Sequence, residues 1–234
     1  MFRLPGLEKS PVAARSEGNL PEEKSIAVPD KAGQAPTGRR YGGRDVLALC
    51  LLLIGLQQLA SAGYIHAKAQ LAQFLIGHAW QNSLAAAGAP EKPWPWADTW
   101  PVARIQVPGQ SVDLYVLSGS TGNALAFGPG HETASAQLGG PGLSVIGGHR
   151  DTHFAFLKDM KAGAFFDLQL PTGERISYRV TSKRIVDINI EPLASGPEAS
   201  DELLLVTCYP FDALVPGGPL RYVVRSAPMP ARIQ

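Results

Sequence analysis

Three segments of this sequence carry side chains able to do chemistry, and each lies where an apolar run ends or begins. Leu203-Leu204-Leu205-Val206 leads into Thr207-Cys208-Tyr209-Pro210. A thiol at the end of a buried strand is held in place yet can face a cleft, and a reactive thiolate needs such partial exposure beside positive charge. Ser144-Val145-Ile146 leads through Gly147-Gly148 into His149-Arg150-Asp151-Thr152-His153-Phe154. Histidine is the usual activator of a cysteine nucleophile, as base or as imidazolium. The two glycines before it let the backbone turn and approach closely. The third segment, Gly217 to Arg225, opens with a turn and continues as an alternating strand. Arg221 follows Cys208 by 13 residues, a distance compatible with a neighbouring antiparallel strand after a loop. A guanidinium there can stabilise an oxyanion or hold a substrate backbone through its forked donors. Arg225 shares a strand face with Arg221, so spacing does not choose between them.

Taken singly, a buried Cys, a lone His or a strand Arg is usually structural. Competing chemistries must also be weighed. His149 and His153, with Asp151 between them and Cys208 elsewhere, are a conceivable zinc set, but H-x3-H spacing needs one helical face and the residues before His149 read as strand. Papain-type peptidases place Cys before His, the reverse of the order here. A peptide-binding membrane adaptor without catalysis is a further alternative. The remaining polar residues have plainer roles. His131 falls on a loop with Gly128 and Gly130, and His66 and His78 suit an interfacial helix. Asp151 is a solvated loop charge unless it pairs with Arg150 or Arg221, and His153 either orients His149 or lines a cleft. Tyr209 and Phe211 follow Cys208 and suit the wall of a substrate groove. Phe154, Phe156, Phe165 and Phe166 are expected in the core.

The elements that must hold these groups read as β. Short apolar runs recur at 102–107, 112–117, 143–147, 175–182, 185–190, 203–207 and 220–225, many separated by turn residues such as Pro108-Gly109 and Pro171-Thr172-Gly173. That spacing predicts a sandwich or barrel, with a short helical piece over 154–161. Before the strands, Lys92-Pro93-Trp94-Pro95-Trp96-Ala97-Asp98-Thr99-Trp100-Pro101 suits a stiff extended segment packed on a surface.

Composition and charge set the class. The 234 residues carry a net charge of +1, with no clustered excess of base to suggest a nucleic-acid surface. Two cysteines, Cys50 and Cys208, are too few for a disulfide framework. Residues 1–44 lack apolar periodicity and predict a disordered tail. From Val46 to Ala67 there is no Asp, Glu, Lys or Arg. Spanning a bilayer takes about 20 such residues. Arg39, Arg40 and Arg44 precede this run, which places the N-terminus in the cytoplasm and the bulk of the chain outside. Ala60-Ser61-Ala62 resembles a signal-peptidase site, but the long segment ahead of the run favours an uncleaved anchor. Beyond it, His66 to Ala87 predicts a helix with Leu71, Leu75, Ile76 and Ala79 in one stripe, closed by Gly88. The expected organisation is a cytoplasmic tail over 1–44, an anchor over 45–66, a juxtamembrane helix and linker over 67–91, and a β domain over 92–234.

With these residues in view, GGHRDTHF around His149, LVTCYP around Cys208 and LRYVVR around Arg221 resemble, in order, the three motifs of the sortase family. The segments KPWPWADTWPVARI, ALAFGPGH, GGHRDTHF and LVTCYPFDA together resemble the proteobacterial group of that family. The resemblance implies an all-β fold, a closed eight-stranded barrel with short helices. It implies a cysteine transpeptidase acting on a secreted protein with an LPxTG-like sorting signal. Cys208 would be the nucleophile, His149 the general acid/base and Arg221 the oxyanion partner, with no metal or organic cofactor and an amine of unspecified identity as acceptor.

Overall fold

The computed structural model describes residues 42–191, 193, 201–213 and 217–230. The predicted tail over 1–44 falls almost wholly outside them. Helix α1 runs unbroken from Gly43 to Ala85, where the sequence suggested an anchor followed by a separate helix. Its first part, to Leu51, is a solvent-exposed apolar helix and forms a unit distinct from the rest of the chain. The helix is long and apolar enough to cross a membrane. Its C-terminal half buries Ala72, Ile76, Ala79, Trp80 and Ser83, a stripe at helical spacing. Leu71, expected in that stripe, is exposed. Ile76 packs with Leu117, Ala124, Trp94, Tyr115 and Phe127, so this part of the helix is seated on the β domain. The helix closes with a Schellman pair, Gly88 N–H to the Ser83 carbonyl at 2.9 Å and Ala87 N–H to the Leu84 carbonyl at 3.4 Å. Two left-handed residues follow one another here, Ala87 with φ 53° and the expected glycine, Gly88, with φ 95°.

Eight strands close into a barrel: β1 Pro101–Val107, β2 Val112–Ser118, β3 Gly130–His131, β4 Ser144–Gly147, β5 Phe165–Gln169, β6 Arg175–Asp187, β7 Leu203–Cys208 and β8 Leu220–Pro228. Around the barrel the order is β1-β2-β3-β4-β7-β8-β6-β5, with β5 pairing back to β1. A short helix α2, Gly122–Leu125, and a 3-10 turn, Ala155–Lys158, lie in the connections, the latter inside the predicted 154–161 piece. Burial along β1 alternates residue by residue, as a strand with one face on the core requires. Strand β7 is buried on both faces. Leu203 and Leu205 join Ile146, Phe154, Phe166 and Val224 in the barrel interior. Leu204 and Val206 join Leu143, Val145, Val186 and Val223 on the outside of the barrel.

The structure corrects the strand boundaries in three places. β6 is one strand through the predicted break, with a bulge at Thr181, and it ends at Asp187 rather than Ile190. The Asp187 side chain accepts from Asn189 N–H at 2.9 Å, an Asx turn that stops the ladder. β3 is only two residues long and escaped the run-length signal. Gly130 is needed there, because a Cβ would meet the Gly119 carbonyl oxygen at 2.1 Å. β5 lies in none of the predicted runs; it contains Phe165 and Phe166, but only Phe166 enters the core, and Phe165 is 45% exposed. Phe154 is fully buried and Phe156 packs against the interior cluster, as expected.

Candidate active site

Strand direction brings the three sequence-predicted residues to one end of the sheet. β4 and β7 are parallel neighbours, Ser144 to Gly147 facing Leu203 to Val206. Their C-terminal ends therefore emerge side by side, one followed by His149 and the other ending in Cys208. β8 runs antiparallel to β7, so its beginning meets the end of β7, and Cys208 stands directly opposite Arg221 in the register. Directly opposed residues in an antiparallel pair have Cβ atoms about 4.5–5.5 Å apart. Alternation puts Leu204, Val206 and Cys208 on the same face, with Val223 and Arg221 beside them. That is the outer face of the barrel, next to its exterior apolar cluster. Cys208 is half-buried.

The approach to His149 is fixed by the strand that carries the cysteine. Gly148 N–H donates to the Val206 carbonyl at 3.0 Å, extending the parallel ladder by one residue. The Thr207 hydroxyl donates to the Gly148 carbonyl at 2.7 Å, and Thr207 is only 2% exposed. The residue before His149 is thus tied through both its N–H and its carbonyl to the two residues before Cys208. Gly148 has no room for a side chain, since a Cβ would lie 2.8–3.0 Å from the Phe154 ring. Phe154 N–H returns to the His149 carbonyl at 2.9 Å and closes the turn that begins at His149. The sequence does not single out this Thr207 contact, although a hydroxyl one residue before the thiol is legible in it.

The surroundings sort the other candidates. His153 stacks at a tilt near His149, ring centroids 5.9 Å apart, and its Nδ1 is buried without a partner. Burial holds His153 below its ordinary pKa, the charge of His149 pushes the same way, and Asp151 opposes both. Arg150 donates to the Ala213 carbonyl at 2.6 Å and so links the loop after β4 to the loop after β7. Asp151 is exposed, and among the described residues it forms no ion pair with Arg150 or Arg221. Arg221 donates through Nη1 to the Gly218 and Leu220 carbonyls at 2.7 and 3.0 Å. Arg225, its face-sharing rival, is bonded to Glu202 at 2.8 Å and sits opposite Leu204, away from the strand end. Tyr209, Phe211 and Tyr222 form an aromatic cluster beside the Cys208 end, Phe211 lying 5.2 Å from Tyr222. His131 is bonded to the Ala136 carbonyl at 3.0 Å and serves its own loop. Among the described residues no group of three or more His, Cys, Asp or Glu is arranged to hold a metal ion.

Comparison with known proteins agrees with this architecture. The profile of the sortase domain matches residues 105–229. Sortase D of Bacillus subtilis (strain 168) is 31% identical over 120 residues, 51% of this chain and 60% of that protein. Among solved structures, sortase A from Corynebacterium diphtheriae superposes with a TM-score of 0.51 at 26% identity, covering 59% of this chain and 65% of the other. A lid mutant of that enzyme gives 0.50 at 23% identity, covering 69% and 95%, a likeness of fold. This chain thus matches about three fifths of the length of the Bacillus protein. The profile match, the eight-stranded barrel and the order of the three motifs lead to one conclusion: the chain belongs to the sortase family.

Proposed function

We propose that this protein is a membrane-anchored cysteine transpeptidase in which Cys208, His149 and Arg221 carry the reaction. The observation behind the reading is the convergence of two parallel strand ends and one antiparallel strand start at Cys208, opposite Arg221. The Cys208 sulfur attacks the carbonyl carbon of a peptide bond in an LPxTG-like sorting signal. Arg221 donates hydrogen bonds to the oxyanion, where preorganised donors act most strongly. The C–N bond breaks, the leaving amine takes a proton from His149, and the acyl group stays on sulfur as a thioester. An incoming amine then attacks, losing its proton to His149. The C–S bond breaks and the thiolate is regenerated. Water in place of the amine gives hydrolysis. No step requires a metal or organic cofactor. The substrate is a secreted protein bearing the signal, and the acceptor is an amine.

The apolar part of α1 supports an anchor in the inner membrane. Arg39, Arg40 and Arg44 ahead of it favour an N-terminus in the cytoplasm and a barrel outside. The test uses the full chain in detergent with an LPxTG-type peptide and hydroxylamine, followed by mass spectrometry. A thioacyl adduct on Cys208 and a hydroxamate product are expected, both absent in Cys208→Ala. Arg221→Ala should lose turnover while Arg225→Ala keeps it. A folded protein giving no adduct across a broad peptide library would transfer the barrel to peptide binding without catalysis.

A further inference from the structure

The C-terminal half of α1 leaves apolar surface that barrel packing does not use. Beside the buried stripe, Leu71 is 57% and Phe74 70% exposed. Facing this part of the helix is the turn at Trp94 to Ala97, closed by Ala97 N–H to the Trp94 carbonyl at 2.9 Å. Trp94 packs edge-on against Phe127 with centroids 5.3 Å apart. Trp96, at the tip of the same turn, is 83% exposed. Between turn and helix lies a groove of about 820 Å³, walled by helix residues from Tyr64 to Leu75 and by Trp94, Trp96 and Phe127. Most polar side chains at its rim are bonded within the protein: Gln73 donates to the Phe127 carbonyl at 2.6 Å, and Asn123 donates to Asp98 at 2.8 Å. Apart from the Lys68 ammonium at one end, the walls therefore offer little to a polar ligand.

The position of the groove along the helix identifies what fills it. Counting from Val46 at 1.5 Å per residue, about 20 residues cover the roughly 30 Å hydrocarbon core, which ends near Ile65. The groove begins there. Lys68 is the first charged side chain after Asp45, and its Nζ lies 5.4 Å from the Tyr64 ring centroid. An aromatic ring and a basic residue after an apolar span are the usual anchors at the headgroup level. Tyr64 and Ile65 are 65% and 66% exposed, so the apolar surface continues from the span into the groove without interruption.

We propose that this groove is a lipid-binding surface: phospholipid of the bilayer crossed by α1 fills it, and Trp96 inserts at the membrane interface. The domain is then docked on the bilayer instead of hanging from a tether, which fixes the height of the Cys208 end above the lipid. The proposal rests on α1 being a membrane span and is independent of the transpeptidase chemistry. The experiment reconstitutes the full chain and Trp96→Phe in phosphatidylcholine–phosphatidylglycerol vesicles whose acyl chains are brominated near the headgroup. Bromine quenches tryptophan only at close range. Of the four tryptophans, Trp80 is fully buried, Trp94 and Trp100 are half-buried and Trp96 is exposed, so the larger part of the quenching should disappear in Trp96→Phe, with a remainder left from Trp94 in the groove wall. Resistance to alkaline carbonate extraction, measured on the same vesicles, reports the span by itself. If the chain is extracted, the span fails and the proposal fails with it. If the chain resists extraction but both proteins are quenched equally, or aqueous acrylamide quenches Trp96 freely, the groove is not a lipid site. A photocrosslinker at Leu71 should yield chain–lipid adducts; chain–chain adducts would assign the groove to a second copy and overturn the proposal.

Discussion

Replacing Thr207 by Val isolates the contact that ties the histidine loop to the cysteine strand. Val keeps the β-branched shape and strand preference of Thr and removes only the hydroxyl. The bond lost is Thr207 Oγ1 to the Gly148 carbonyl at 2.7 Å, at a residue 2% exposed. A buried acceptor left without its donor costs about 1–3 kcal/mol. For a domain of this size that lowers Tm by about 2–12 °C. The second tie, Gly148 N–H to the Val206 carbonyl, survives, so the loop is loosened and not released. Displacement of about 1 Å at a reacting group can cost about 100-fold in rate, so turnover should fall by about 10- to 100-fold. Thr207→Ser should recover most of both losses. The assay pairs a thermal melt with transpeptidation measured at least 20 °C below the variant's Tm. A lowered Tm with wild-type turnover would show that the clamp stabilises the barrel without positioning His149. An unchanged Tm would refute the energetic argument itself.

Three further outcomes follow from the geometry. The His153 pKa is depressed in the folded state, so the unfolded chain binds the extra proton and stability is complete above the ordinary value near 6.5. Stability should fall as pH drops from about 6.5 toward the folded pKa, and His153→Asn should flatten that part of a Tm-versus-pH curve; an identical slope in the variant would exclude His153 as its source. Ala87 holds a left-handed φ of 53°, which costs an L-residue about 1 kcal/mol, so Ala87→Gly should raise the denaturant midpoint at constant m, and a lowered midpoint would contradict the assignment. A chain beginning at residue 90 loses Ile76 and Trp80, which are 1% and 0% exposed. Each such side chain contributes about 1.5–3 kcal/mol by burial, so this truncation should melt well below one beginning at residue 68. Equal melting temperatures would show that the helix adds nothing to the barrel.

What the sequence revealed depended on how far a feature's cause extended along the chain. β7 was legible because burial on both faces writes an uninterrupted apolar run, Leu203 to Val206. β1 and β2 were legible through length and flanking turns. β3 was not, because two residues held by Gly130 against the Gly119 backbone leave no periodic pattern. The end of β6 was misread because Ile188 and Ile190 look like strand residues, while the stop lies in the Asp187 side chain. Within α1, apolar content predicts an anchor and helical spacing predicts a packed stripe, but which residues of the stripe are buried, Ala72 and not Leu71, depends on tertiary packing that spacing alone does not encode. His149, Cys208 and Arg221 were picked out by type and by their places at strand ends, whereas their convergence needed the parallel pairing of β4 with β7.

That pairing also bears on why the site lies outside the barrel. Strand alternation gives each position before Cys208 one of two directions. Leu203, Leu205 and Thr207 point inward, where the first two fill the core and the third reaches Gly148. Leu204, Val206 and Cys208 point outward, the first two onto the exterior apolar cluster. Interior packing and the chemical face therefore use alternate residues of one strand. A substitution on the outward set can alter the surface beside Cys208 without opening a cavity in the barrel, and one on the inward set acts on Cys208 only through the backbone. Thr207 is the exception, since its inward hydroxyl ends on the peptide that carries His149. Outward Leu204→Ala should consequently leave the melt less affected than inward Leu205→Ala, although the two lose the same atoms and both are buried, because the exterior cluster can settle around the loss while the close-packed interior cannot.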